Sequence, residues 1–122
     1  MFTSAIKEAS KNLTAKERIA LKDTTRAIKL DEATQHGDVE IVPSMWAILG
    51  VHNDKLVNPD YEQFVVQDAN GDTYVTGSNS FWQSFMDIFT EMEGEDEEYS
   101  IVVTRIPSKN YNGKEFLSCY IK

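Results

Sequence analysis

The sequence predicts a mainly β fold with one or two helices, and three observations carry that reading. Two Asn-Gly pairs, Asn70-Gly71 and Asn112-Gly113, each stand between runs rich in β-branched and aromatic residues. Asn-Gly in that setting is the strongest short hairpin signal, because both residues tolerate the positive φ of a tight two-residue turn. Between the hairpins, SNSFWQSFMDIFTEM (78–92) places Phe81, Phe85, Ile88 and Met92 at i, i+4, i+7 and i+11, one face of a helix. Upstream, short apolar runs alternate with polar residues in the two-residue period of strands.

Taken in order, residues 2–11 are expected to form a helical turn or to fray. Thr14-Ala-Lys-Glu17 has the form of a capping box and opens a short helix near 14–22. In RAIKLDEAT (26–34), Ile28 and Leu30 alternate with Lys29 and Asp31, which suits a strand. His36-Gly37-Asp38 marks a turn. VEIV (39–42) and MWAILGVH (45–52) are strand-like, with Pro43 as a break or an edge. Asn53-Asp54 and Asn58-Pro59-Asp60 bracket a loop. The first Asn-Gly hairpin joins YEQFVVQD to DTYVTG. Ser78 or Ser80 caps the helix, which ends in the acidic stretch EGEDEE (93–98). The second hairpin joins YSIVVTRI to KEFLSCYI.

A helix set between the third and fourth strands of a five-stranded sheet is the order of an OB-fold barrel. The expected architecture is therefore one OB-fold-like domain over residues 1–122 with a short helical N-terminal segment. A small α+β sandwich is the competing arrangement.

Net charge is −8 over 122 residues, but it is segregated. Residues 1–30 carry seven Lys/Arg against three Asp/Glu, residues 31–100 one Lys against sixteen acids, and residues 101–122 four Lys/Arg against one Glu. An anionic partner is repelled by the middle and drawn to the ends. A single cysteine, Cys119, allows no internal disulfide. No apolar run reaches the roughly 18 residues of a membrane span, and the start lacks the order of a secretion signal. A soluble protein inside the cell, with no membrane partner, is the expectation.

Catalytic chemistry finds little support. His36, His52 and Cys119 are the stock of soft metal ligands, and they lack zinc spacing. Asp68, Asn70 and Asp72 imitate the start of a calcium loop, but the sixth position is Thr73 and the twelfth Asn79, so a hairpin turn is the better reading. No Walker A or dinucleotide fingerprint occurs. His52 is the one credible general base, and a single histidine at a strand end is ordinarily a surface residue. Consecutive carboxylates such as 93–98 are ordinarily a solvated turn. No enzyme activity, cofactor or metal is expected.

The last hairpin is different. Proteins that hold single-stranded nucleic acid need cations for phosphates and flat rings for unpaired bases. Arg105, Lys109, Lys114 and Lys122 are the cations here, and Tyr111, Phe116 and Tyr120 the rings. Along the final strand Lys114, Phe116, Ser118, Tyr120 and Lys122 share one face, with Glu115, Leu117, Cys119 and Ile121, mostly aliphatic, on the other. Trp46 and Tyr74 are further candidate rings, beside Tyr61 and Phe64, of which at least half belong to the core. Aromatics also pack well on strands, and terminal lysines protect sheet edges, so Phe116 could instead point inward.

These residues resemble small bacteriophage single-stranded DNA-binding proteins of OB-fold type. The segments that carry the likeness are LTAKERIALKDTTRAIKLDEAT (13–34), HND (52–54), DANGDTYVTGSNSFWQSFMDIFTEM (68–92) and IPSKNYNGKEFLSCYI (106–121), in that order. The SKN-x-x-GK element is of the kind that family carries. The resemblance implies a non-catalytic protein that coats single-stranded DNA in phage replication or recombination, in the bacterial host cytoplasm, beside replication or recombination proteins. It implies contacts at Lys109, Tyr111, Lys114 and Phe116, while Arg105 and Tyr120 are added from strand alternation. The basic N-terminal segment, Lys16, Arg18, Lys22 and Arg26, could extend the surface, and a sheet edge could pair two chains. Many such proteins end in an acidic tail, whereas this sequence ends Tyr120-Ile121-Lys122 and is acidic at 93–98 instead. A different class fits the charge count as well: an acidic DNA mimic, or an interaction module that inhibits or recruits a nucleic-acid enzyme through 91–98, Asp68 and Asp72.

Overall fold

A computed structural model describes residues 2–109 and 113–122. The chain is mainly β, and its strands form two sheets, neither closed into a barrel among the described residues. It packs as two compact units. The first comprises Met1–Ile28 and Ser44–Gly77, the second Lys29–Pro43 and Ser78–Lys122. Neither unit is one continuous stretch of chain. Among the described residues no helix is long and apolar enough to cross a membrane.

The first unit is built on a five-stranded sheet. Its strands are β1 (Phe2–Ala9), β2 (Ile28–Lys29), β4 (Pro43–Asn53), β5 (Asp60–Asp68) and β6 (Thr73–Thr76), in the spatial order β1-β4-β5-β6-β2. Helix α1 (Ala15–Lys22) starts where the capping box predicts: Thr14 Oγ1 accepts from Glu17 N at 3.2 Å, and Glu17 Oε1 accepts from Thr14 N at 2.9 Å. Leu21 alone among the α1 residues is buried, and it joins Met45, Ala47, Leu49, Val51, Val65 and Val75 in one apolar cluster. The i, i+2 spacing along β4 puts its four members on one sheet face.

The β5–β6 hairpin follows the Asn-Gly signal. Gly71 takes φ +92°, and Asp68 N donates to Asp72 O at 2.9 Å. The buried Asp68 carboxylate is occupied by the turn itself, its Oδ1 accepting from Asn70 N at 2.9 Å and Asp72 N at 3.0 Å. A buried carboxylate needs such donors, which is why an aspartate sits there.

Two expectations are corrected. Residues 2–11 hold a strand instead of a helical turn, because Phe2–Ala9 pairs antiparallel with β4 and turns Ile6 and Ala9 onto the apolar cluster. A bulge at Lys7 interrupts that pairing. The lysine stem crosses Gly50 to reach Glu62 Oε2 at 2.8 Å, and a Cβ at Gly50 would lie 2.9 Å from Lys7 Cδ. Residues 26–34 are strand only at Ile28–Lys29. Leu30–Ala33 is a helical turn, α2, continued by a 3₁₀ turn over Thr34–His36. Leu30 is fully buried and Thr34 Oγ1 donates to Leu30 O at 2.7 Å, so anchoring the apolar side chain overrides the local alternation.

The second unit holds α2, a three-stranded sheet in the order β3-β7-β8, and helix α3 (Asn79–Met92). The strands are β3 (Val39–Ile41), β7 (Ile101–Pro107) and β8 (Glu115–Ile121). Ser78 Oγ accepts from Phe81 N at 3.2 Å and caps α3, as its position predicts. Phe81, Phe85 and Phe89 follow one another at centroid spacings of 5.8 and 5.6 Å, and Trp82 lies 5.2 Å from Phe85. Helix α3 packs on β8 and is pinned there by two serines. Ser80 Oγ donates to Leu117 O at 2.7 Å, and Ser84 Oγ lies 3.1 Å from Ser118 Oγ. A partner for the Leu117 carbonyl blunts the edge of β8.

Candidate nucleic-acid interface

The pairing of β7 with β8 decides what the last hairpin presents. Ile101, Val103 and Arg105 stand opposite Ile121, Cys119 and Leu117. Val102, Thr104 and Ile106 stand opposite Tyr120, Ser118 and Phe116. The first face is core: Ile101, Val103, Leu117 and Cys119 are buried. The second face is mixed: Val102 is buried and Ser118 half-buried, while Ile106 is 38% exposed, Phe116 41% and Tyr120 51%. The two-residue alternation seen in the sequence holds from Phe116 to Tyr120, with Phe116 outward, while Ile121, on the Leu117 side, is 46% exposed at the strand end.

The cations divide. Lys109 and Lys114 are exposed at the loop end of the hairpin, where Ser108 N donates to Lys114 O at 2.9 Å and Gly113 takes φ +79°. Lys122, at the other end, bonds Glu40 Oε1 at 2.5 Å, and that carboxylate holds its ammonium above the ordinary lysine pKa. Its charge is locally cancelled. Tyr111 lies outside the described residues.

Arg105 is a correction. Alternation from the register puts it on the Leu117 face, opposite to Phe116 and Tyr120. Its guanidinium is committed to the protein: Nε donates to Thr34 Oγ1 at 3.0 Å, Nη2 donates to the Asp31 carbonyl, and Nη1 lies 3.9 Å from Glu115 Oε1. It fastens the α2 turn to β7. Trp46 and Tyr74 leave the exposed set too, at 6% and 8% exposure within the first unit. Burial raises the Tyr74 phenol above its ordinary pKa, with Asp68 and Asp72 adding to the effect. Ile106 is the member that residue-type reasoning missed. Counting alternate residues from Val102 would have found it.

Other reactive groups are held in place. Burial pushes the Cys119 thiol up to about 12, so it carries no thiolate near neutrality. His52 lies between two carboxylates, with Nδ1 2.6 Å from Asp60 Oδ1 and Nε2 bonded to Asp54. Hydrogen bonds to Asp60 and then Asp54 raise its pKa, which favours the imidazolium and takes away the free lone pair that a general base needs. Among the described residues no group of three His, Cys, Asp or Glu could hold a metal ion.

The second unit thus offers an open apolar and aromatic strip with two lysines at one end. Such a strip can stack planar rings and meet phosphates. No family model matches the chain, and no curated protein and no solved structure matches it either.

Proposed function

We propose that the protein binds single-stranded DNA without catalysis and with little sequence preference. The working surface is the outer face of the β7–β8 hairpin. One observation carries this reading: Phe116 and Tyr120 are both about half exposed on the same face, with Ile106 beside Phe116 and Lys109 and Lys114 at the loop end. Leaving two aromatic rings in water forgoes their burial, and stacking on unpaired bases recovers it at about 1–3 kcal/mol per base. On this reading the fold is a relative of the OB barrel, supported by the order of hairpin, helix and hairpin. The biological setting is the coating of single strands in phage replication or recombination, in the cytoplasm of the bacterial host, with replication or recombination proteins as partners.

The test is fluorescence anisotropy with a labelled ~30-mer of poly-dT, against duplex competitor, at about 50 and 200 mM salt. Tight binding to the single strand, weak competition by duplex and a fall with salt are expected. The alternative rests on the exposure of Glu93, Glu95, Asp96, Glu97 and Glu98, which suits a DNA mimic or a module that engages a nucleic-acid enzyme. Absence of oligonucleotide binding at the lower salt, with capture of a nucleic-acid enzyme through that loop, would replace the first reading with the second.

A further inference from the structure

The first unit carries a second basic surface that the hairpin does not explain. Helix α1 buries only Leu21 and turns Lys16, Ile19 and Lys22 outward at intervals of three residues, within one arc of the helix. Arg26 follows in the turn beyond it, its side chain 91% exposed. Among the described residues Lys16 and Lys22 have no ion pair, and Arg26 has only Asp23, at 3.8 Å. Ile19, 70% exposed, sits between the two lysines. Beside it opens a mostly polar groove of about 310 Å³, lined by Ile19, Ala20, Asp23, Arg26, Asp72 and Thr73 among others.

We propose that this α1 surface is a second contact for single-stranded DNA, in which Lys16, Lys22 and Arg26 neutralise phosphates and Ile19 packs on the sugar between them. The inference rests on the binding reading above and adds a site in the other unit. A peptide docking on a helix needs several apolar anchors at helical spacing, and α1 presents one. A phosphate track needs only cations with free first coordination, and α1 presents two, plus Arg26 with a long and exchangeable pair. The acidic middle of the chain confines the attraction to such patches.

The salt dependence of binding counts these contacts. Each phosphate neutralised on a single strand contributes about 0.7 to the slope of log K against log salt. The triple variant Lys16→Ala/Lys22→Ala/Arg26→Ala should flatten the slope by about 2 with an unchanged melting temperature, and Lys16→Arg/Lys22→Arg should keep the wild-type slope. Ile19→Ser should weaken binding several-fold at an unchanged slope. Phe116→Ala/Tyr120→Ala should do the same more strongly, because rings release no counterions. A wild-type slope in the triple variant overturns this inference and leaves the hairpin reading standing. Loss of self-association in sedimentation, with DNA binding and slope intact, also overturns it and assigns the surface to a second copy of the chain. If the wild-type protein does not bind poly-dT at all, the binding reading fails first and the α1 contact with it.

Discussion

Ile106 and Phe116 are directly opposed across the β7–β8 pair, and both remain more than a third exposed, on the face that carries Tyr120 one alternate step beyond Ser118. Two apolar side chains in register on an open face form a strip, and Ser118, held by Ser84 of α3, fixes its middle. Phe116→Ala and Tyr120→Ala are each expected to weaken poly-dT binding by about 1–3 kcal/mol, roughly 5- to 150-fold. Each should lower the melting temperature less than truncation of a buried ring such as Phe81 or Phe85, because both rings are about half exposed. Anisotropy and thermal melts on the same samples decide it. Unchanged affinity in the double variant would remove the hairpin face from the site.

Arg105 should behave in the opposite way. It is three-quarters buried and bonds Thr34 and the Asp31 carbonyl, so Arg105→Met is expected to cost stability, about 1.5–3 kcal/mol for charge-assisted bonds lost on one partner. Urea denaturation measures the change. The fraction that remains folded should bind DNA like wild type. A variant with normal stability and weak binding would place Arg105 at the interface after all.

His52 gives the loop between β4 and β5 a pH dependence. Its folded pKa is raised above 6.5 by Asp60 and Asp54, so its stabilisation is complete below the unfolded value and is lost as pH rises through the folded one. An NMR titration of the His52 ring should show a midpoint above 6.5, and amide exchange across residues 53–60 should accelerate above that midpoint. His52→Gln is expected to remove the part of that acceleration that exceeds the intrinsic, base-catalysed rise of amide exchange with pH. A midpoint at or below 6.5 would contradict the double clamp.

Gly50 is the last test. A methyl at this position meets the Lys7 stem, which the β1 bulge lays across it, so Gly50→Ala is expected to destabilise by about 1 kcal/mol, the low end for overpacking against a flexible chain. In a Lys7→Ala background the same change should be neutral. Additive effects in that double-mutant cycle would mean that the lysine stem is not what excludes a side chain there.

What the sequence determined by itself was local. The Asn70-Gly71 turn, the Thr14–Glu17 box, the Ser78 cap and the outward set Phe116 and Tyr120 on β8 each depend on residues within a few positions of one another. Backbone geometry and strand alternation then leave one economical solution. What the tertiary structure decided was every question of partner. Phe2–Ala9 became a strand because β4 offered it an edge. Residues 30–36 became a helical turn because Leu30 found a core and Arg105 reached back from β7 to hold Asp31 and Thr34. Trp46 and Tyr74 are indistinguishable in type from exposed rings, and only packing buried them. Arg105 resembles its neighbouring cations in sequence, yet the β7 register turned it to the other face. Charge and ring content are written in the chain, but which side of a sheet meets water is a property of contacts between residues tens of positions apart.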